Sequence, residues 1–124
     1  MTEIKALAPA ASGAPYSRAI IVNGQVYVSG QIGHNPADPA SSSADIREQT
    51  AFALNSLKAI LEEAGSSMTK VIKVTVFLKD INEWPAMNEV YAKHFQQPYP
   101  ARSAFQVAAL PFDTKVEVEC IAVL

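Results

Sequence analysis

The sequence predicts an α+β fold in which two helices cover one face of a single mixed β-sheet. The first observation is length: 124 residues correspond to one domain, whose bounds we place at residues 1–124. The second is composition, since 49% of the residues are hydrophobic, enough to bury a core. The third is the order of hydrophobic patterns along the chain, which is β-β-α-β-α-β-β.

A β-hairpin is the first element predicted. Residues 19–22 and 25–29 are rich in β-branched and aromatic side chains, and Asn23-Gly24 separates them. Both turn residues tolerate the positive φ that a type I′ turn requires. Residues 30–43 follow without a regular pattern and predict a loop.

The first helix is predicted over residues 46–64. Its apolar face is formed by side chains three and four positions apart, namely Ile46, Thr50, Ala53, Leu54, Leu57, Leu61 and Ala64. Asp45 and Glu48 could form a capping box at its start. Gly65 is the expected residue just past its end.

The second helix is predicted over about residues 83–95. Asp80 or Asn82 could cap it, and Pro85 is tolerated in its first turn. Its helical spacing is carried by Trp84, Met87, Val90, Tyr91 and His94.

Three further segments predict strands: residues 71–78, 102–107 and 115–123. In the first of these, Ile72, Val74, Val76 and Leu78 should face the helices. The opposite face of the sheet would then carry Thr75, Phe77, Glu117, Ile121 and Val123. That face is too apolar to be left in water, so we expect other copies of the chain to cover it.

Charge and cysteine content narrow the class of protein. Ten Lys and Arg against twelve Asp and Glu give a net charge of −2, which disfavours nucleic acid as a main partner. A single cysteine, Cys120, excludes an internal disulfide. Residues 1–15 lack a signal-peptide pattern, and the uncharged residues 19–37 are too polar and turn-rich to span a membrane. We therefore expect a soluble protein of the cytoplasm.

Several common catalytic motifs are absent from the sequence. The five glycines form neither a P-loop nor a dinucleotide fingerprint, and no Gly-x-Ser-x-Gly motif is present. His34 and His94 are far apart in the chain and lack ligand-spaced partners. We expect no metal and no cofactor.

A few polar residues in apolar surroundings are the candidates for a site. Arg102, at a strand start, could form a surface salt bridge or bind a carboxylate through its guanidinium fork. Glu117 could lie on a solvated face, or act as a base on water if that face is buried. Ser29-Gly30 could simply end a strand, or let a ligand approach the backbone.

Four other residues are weaker candidates on the sequence alone. Tyr16 and Asn88 have the character of ordinary loop and helix residues. Cys120 is expected to be a small buried hydrophobe rather than a nucleophile. His34 is an outside candidate for proton transfer.

The chain resembles the RidA (YjgF) family of reactive-intermediate imine deaminases. Matching segments follow one another along nearly the whole chain: APYS (14–17), VYVSGQI (26–32), DIREQT (45–50), AGSS (64–67), VIKVTVFL (71–78), NEVY (88–91), PARS (100–103) and VEVE (116–119). The resemblance implies a chorismate-mutase-like α+β fold assembled as a homotrimer, with ligand clefts between subunits. It also implies hydrolysis of 2-imino acids such as 2-iminobutanoate and 2-iminopropanoate, or of their enamine tautomers, to 2-keto acids and ammonia. Such an activity would protect pyridoxal-phosphate enzymes from damage.

The resemblance also implies roles for individual residues. Arg102 would bind the substrate carboxylate, and Glu117 would orient and activate the attacking water. Groups near Ser29, Gly30 and Ala104 would hold the substrate, and Tyr16 and Asn88 would shape the cleft.

Two positions depart from the family pattern. Ala104 stands where many members have a cysteine, and Gly33-His34 stands where proline is common, which affects the shape of the cleft.

Two alternatives to a deaminase remain open on the sequence. Members of the family have been called endoribonucleases and translation inhibitors, but this sequence has no basic patch and no paired histidines. The second alternative is a non-catalytic module or holdase that binds small carboxylates. The presence of both Arg102 and Glu117 favours the enzyme, since a carboxylate binder has no use for a nearby anion.

Overall fold

A six-stranded mixed sheet organises the computed structural model, which describes residues 2–9, 13–35, 37–38, 40–41 and 44–124. The strands are β1 (Lys5–Leu7), β2 (Ala19–Val22), β3 (Gln25–Ile32), β4 (Val71–Leu78), β5 (Ala101–Gln106) and β6 (Val116–Val123), and the helices are α1 (Ile46–Glu63) and α2 (Trp84–His94). The spatial order of the strands is β1-β2-β3-β6-β4-β5. Among the strands of the described residues, β4 and β5 are the one pair that runs parallel, and α2 lies in the connection between them. The predicted mixed sheet with two helices is confirmed.

The hairpin between β2 and β3 has the expected turn. Asn23 and Gly24 have φ values of 52° and 74°, as a type I′ turn requires. The strand β3 continues to Ile32, so the loop begins three residues later than predicted. Residues 36, 39, 42 and 43 of that loop lie outside the described residues.

The helix α1 packs its apolar side against the sheet. Its buried residues are Ile46, Gln49, Thr50, Ala53, Leu54, Leu57, Ile60 and Leu61. The Asp45 side chain accepts a hydrogen bond from the Glu48 backbone N–H, and Gly65 follows the helix with a φ of 91°. The predicted start and stop of this helix are confirmed. No helix in the described part of the chain is both long and apolar enough to cross a bilayer.

The cap predicted for the second helix belongs to a different element. Asp80 accepts from the backbone N–H of Asn82 and caps a short 3₁₀ helix, Ile81–Glu83. The helix α2 begins directly after it, with Pro85 in its first turn and no side-chain cap. Met87 and Tyr91 are its buried residues.

Two features of the sheet differ from the sequence prediction. The strand β1 was not predicted, and it pairs antiparallel with β2 at the edge of the sheet. Ile72 is 43% exposed rather than in the core, so that assignment was wrong. Val71 pairs with Ala122 and Lys73 with Ile121, so Ile72 is the extra residue of a β-bulge that reverses the alternation.

The face of the sheet opposite the helices remains partly open. Thr75, Phe77, Glu117, Ile121 and Val123 are all half-buried there, as the alternation predicted. Two large aromatic residues on the same face are exposed, Tyr27 by 41% and Phe105 by 45%. The rings of Phe77 and Phe105 meet edge to face at 5.4 Å. We call this surface the open face.

Candidate functional site

Arg102 lies on the edge strand β5, and its side chain is directed toward α2. It pairs in register with the buried Val74, so both side chains project to the helix side of the sheet. Its Nη1 donates a hydrogen bond of 2.7 Å to Asn88 Oδ1. The guanidinium carbon lies 4.6 Å from the ring centre of Tyr91 and 5.6 Å from that of Trp84.

A cavity of about 390 Å³ opens beside this guanidinium. Its lining consists of Asn88, Tyr91, Ala92, Tyr99, Pro100 and Arg102. Within the described residues, no carboxylate lies within ion-pair distance of Arg102. The surface salt bridge considered from the sequence is therefore not formed. A half-buried cation with free donors beside a cavity is suited to binding an anion such as a carboxylate.

Asn88 and Ala104 lie near Arg102, the first through a hydrogen bond and the second on the same strand. Asn88 is on α2, and its amide oxygen is directed to the guanidinium, which gives it a role in holding Arg102. Ala104 is two residues further along β5 and pairs with Val76, so it is on the same side of the sheet as Arg102. The Ala104 side chain packs against the hydrophobic core.

Glu117 lies on β6, and its carboxylate lies over Gly30 of β3. A Cβ atom placed on Gly30 would be 1.9 Å from Glu117 Oε2. The space left by the missing side chain at Gly30 is therefore filled by the Glu117 carboxylate. Burial raises the pKa of Glu117, and the nearby charge of Glu119 raises it further. A carboxyl group whose pKa is raised is a stronger base once ionised.

A β-bulge in β3 shapes the backbone around Glu117. Val28 pairs with Cys120 but Gln31 pairs with Val118, so the register shifts across Ser29-Gly30. Ser29 Oγ donates a hydrogen bond of 2.6 Å to the backbone carbonyl of Ser17. This bond ties the segment that carries Tyr16 to the bulge, and Tyr16 itself is 54% exposed.

The predicted site residues thus fall into two groups within one chain. Asn88, Arg102 and Ala104 form the arginine group, and Tyr16, Ser29, Gly30 and Glu117 form the glutamate group. Arg102 pairs with Val74 on the helix side, whereas Glu117 pairs with Phe77 on the open face. The strand β4 lies between β5 and β6, so the backbones of Arg102 and Glu117 are about 10 Å apart across the sheet. Their side chains project from opposite faces.

The sequence reading missed the two aromatic residues that hold Arg102. On the sequence alone, Trp84 and Tyr91 indicate only the helical spacing of α2. The available signal was their relation to Asn88, because positions 84, 88 and 91 share one face of a helix. A polar amide between two aromatic residues on one helical face indicates that the face binds a polar partner.

The remaining candidates lie outside both groups. The His34 ring stacks on Phe112 with a centroid distance of 5.3 Å, and its Nδ1 lies 3.3 Å from Ser41 Oγ. Cys120 is buried, and burial followed by the charge of Glu119 raises the pKa of its thiol to about 12, as expected for an unreactive cysteine. Among the residues that the structure describes, no group of three or more His, Cys, Asp or Glu side chains could share a metal ion.

Comparison with known proteins supplies the family context of these residues. A family model described as Endoribonuclease L-PSP matches residues 4–124. A goat (Capra hircus) protein named 2-iminobutanoate/2-iminopropanoate deaminase is 48% identical over 118 residues, covering 95% of this chain and 85% of that protein. An Entamoeba histolytica structure that carries the L-PSP name is 48% identical, with a TM-score of 0.88, covering 98% of this chain and 100% of that one. The YjgF gene product of E. coli is 39% identical, with a TM-score of 0.81, covering 93% of this chain and 91% of that one.

Proposed function

The chain belongs to the Endoribonuclease L-PSP family, and we propose that it is a deaminase that hydrolyses 2-imino acids to 2-keto acids and ammonia. The relationship to YjgF proteins expected from the sequence is confirmed. The goat relative bears the name of this activity at 48% identity. The observation that carries the proposal is the position of the half-buried Arg102 guanidinium beside a cavity. The guanidinium contacts Trp84, Asn88 and Tyr91, and none of these three residues carries a charge that would neutralise it.

Arg102 binds the carboxylate of the imino acid in this proposal. Its Nη1 is bonded to Asn88, and its other N–H groups are available for a carboxylate. A bidentate pair fixes both the position and the orientation of the substrate, so the imine carbon is presented in one place. Substrates that lack the carboxylate should therefore bind poorly.

Glu117 activates the water that attacks the imine carbon. The carboxylate takes one proton from water while the oxygen forms a bond to carbon and the C=N π electrons move to nitrogen. The nitrogen of the resulting carbinolamine takes that proton back from Glu117, and ammonia leaves as the C=O bond of the keto acid forms. The hydroxyl proton passes to the Glu117 carboxylate and from there to the released ammonia, which restores the carboxylate. An iminium carbon is already a strong electrophile, so this route needs neither a covalent enzyme intermediate nor a metal.

A complete site requires two copies of the chain in this account. Arg102 and Glu117 lie on opposite faces of the sheet within one chain, so they do not converge on one substrate there. The open face is apolar enough to be an interface, with Tyr27 and Phe105 exposed on it. The strand β5 lies at the edge of the sheet, so a closed homotrimer in which the β5 edge of one copy packs beside the open face of the next would bring the arginine group of one copy toward the glutamate group of another. The proposal includes this homotrimer and a cytoplasmic location.

Turnover of an imine generated in solution tests the proposal. An amino-acid oxidase acting on alanine or 2-aminobutyrate supplies 2-iminopropanoate or 2-iminobutanoate, and semicarbazide trapping reports how much imine survives. Wild-type protein should shorten the lifetime of the imine, and Arg102→Ala and Glu117→Gln should each abolish most of that effect. Equal imine lifetimes with and without wild-type protein would overturn the proposal. Binding of 2-oxobutanoate without any acceleration would support the carboxylate-binding module instead, and cleavage of RNA by nuclease-free protein would support a ribonuclease.

A further inference from the structure

Arg102 is held by three neighbours, and none of the three carries a charge. Its guanidinium carbon lies 4.6 Å from the ring centre of Tyr91 and 5.6 Å from that of Trp84. The third neighbour is Asn88, whose Oδ1 accepts from Nη1 at 2.7 Å. All three neighbours lie on α2, which packs against α1. We call Trp84, Asn88 and Tyr91 the clamp.

We propose that Trp84 and Tyr91 are positioning residues, which hold the Arg102 guanidinium in place before the substrate carboxylate arrives. The inference deepens the proposed function and rests on it only for the identity of the carboxylate. An arginine side chain has many rotamers, and a ligand that must order it loses affinity. Contact with aromatic rings orders the side chain in advance and makes the binding of the anion stronger.

The chemistry of the clamp explains why aromatic rings are used rather than an acid. A carboxylate could hold the guanidinium equally well, but it would neutralise the charge and occupy the N–H donors that the substrate needs. An aromatic ring attracts the cation through its π face and leaves the N–H donors at the edge of the guanidinium free. The clamp therefore gives order without consuming the binding capacity of Arg102.

The ring of Tyr91, rather than its hydroxyl group, carries this role. Tyr91 is only 5% exposed, and its hydroxyl oxygen is buried without a hydrogen-bond partner among the described residues. Burial raises the pKa of this phenol to about 12, against the opposing effect of the Arg102 charge, so it is neutral at physiological pH. A neutral hydroxyl with no hydrogen bond to any described residue, Arg102 included, has no part in holding the guanidinium. Phenylalanine at this position should therefore serve as well.

Steady-state kinetics with imine substrates distinguish positioning from simple packing. Tyr91→Leu and Trp84→Leu should raise KM by about fivefold to thirtyfold and change kcat by less than about twofold, the range expected when a cation–π contact is lost. Tyr91→Phe should return KM to near the wild-type value. The matched control is Phe95→Leu, because the centre of the Phe95 ring lies 4.6 Å from that of Tyr91, whereas the described rings beside the Arg102 guanidinium are those of Trp84 and Tyr91. This control should lower stability to a similar extent and leave KM unchanged.

A second measurement does not depend on catalysis. Relaxation of the Arg102 side-chain Nε–H, measured by ¹⁵N NMR on the free protein, should show an ordered group in wild type and Tyr91→Phe and a mobile one in Tyr91→Leu. Trp84→Leu, at a half-buried position, provides the same comparison if Tyr91→Leu does not fold. If Arg102 stays equally ordered and KM is unchanged in the leucine variants, the clamp is refuted. If wild-type protein turns over no imine while the relaxation follows this pattern, the clamp stands and the proposed function fails.

Discussion

Gly30→Ala is the most informative single substitution, because it displaces the Glu117 carboxylate while residue 117 itself stays unchanged. The added Cβ would lie 1.9 Å from Glu117 Oε2, 2.9 Å from its Cδ and 3.2 Å from its Cγ. The backbone at Gly30 lies outside the positive-φ region, so alanine is tolerated there conformationally. The contacts are to the end of a flexible side chain, which can move. The Glu117 carboxylate must therefore shift by about 1.5 Å to reach the ordinary contact distance of 3.4 Å.

The expected effect is a loss of activity with the fold retained. Misplacement of a catalytic group by about 1 Å can lower the rate by roughly a hundredfold, so we expect kcat/KM to fall by about 10- to 100-fold. At 1.36 kcal/mol for each factor of ten, this is about 1.4 to 2.7 kcal/mol of lost transition-state stabilisation. The melting temperature should change by less than about 4 °C, because only a half-exposed side chain is displaced.

The assay is imine lifetime, measured for both single variants and for the double variant. If Gly30→Ala acts through Glu117, it should lower activity little further in a Glu117→Gln background. Full activity in Gly30→Ala would refute the placement of the Glu117 carboxylate over Gly30. A loss of the same size in both backgrounds would show that Gly30 acts by another route.

Three further predictions follow from the same geometry. Glu117→Gln should be more stable than wild type at pH 7. The pKa of Glu117 is raised in the folded state, so the stability of the wild type falls as pH rises from the pKa of the unfolded state through that of the folded state. Urea unfolding should show that the difference vanishes below the unfolded pKa, and a variant less stable than wild type at pH 7 would contradict the prediction. Gly33→Ala should destabilise the fold by about 1–3 kcal/mol in urea, since its Cβ would lie 2.5 Å from Gln49 Cβ and 3.0 Å from the Gln49 carbonyl; unchanged stability would contradict that packing. Arg102→Lys should raise KM by more than about tenfold, because an ammonium keeps the charge but loses the bidentate fork; a KM near wild type would show that charge alone suffices.

The sequence predicted the helices and strands that have a strong hydrophobic period. It did not predict the features that depend on how one strand pairs with another. Both helices, the hairpin and the strands of the central sheet were visible because apolar residues recur at a fixed period over many residues. The strand β1 has only three residues, Lys5–Leu7, and too short a pattern to recognise. Ile72 was placed in the core because a β-bulge is a property of two paired strands and leaves no mark on the alternation of one.

For the candidate site, too, the sequence identifies the residues but not how they are arranged in space. Arg102 and Glu117 stand out in the sequence because each is a charge among apolar neighbours. Their assignment to opposite faces depends on the register of β5 and β6 against β4, which no local pattern encodes. The same holds for Gly30, whose missing side chain makes room for Glu117, a residue distant in the chain.

Complementation between two inactive variants tests most directly the claim that Arg102 and Glu117 act from different copies of the chain. Arg102→Ala and Glu117→Gln carrying different tags are co-expressed, and oligomers that contain both are isolated and assayed with imine. In a homotrimer each mixed oligomer has one site in three with both groups intact, so its activity should return to about a third of wild type. Arg102→Ala co-expressed with a variant that carries both Arg102→Ala and Glu117→Gln supplies no intact arginine and should stay inactive. Mixed oligomers as inactive as each parent would contradict a site shared between copies.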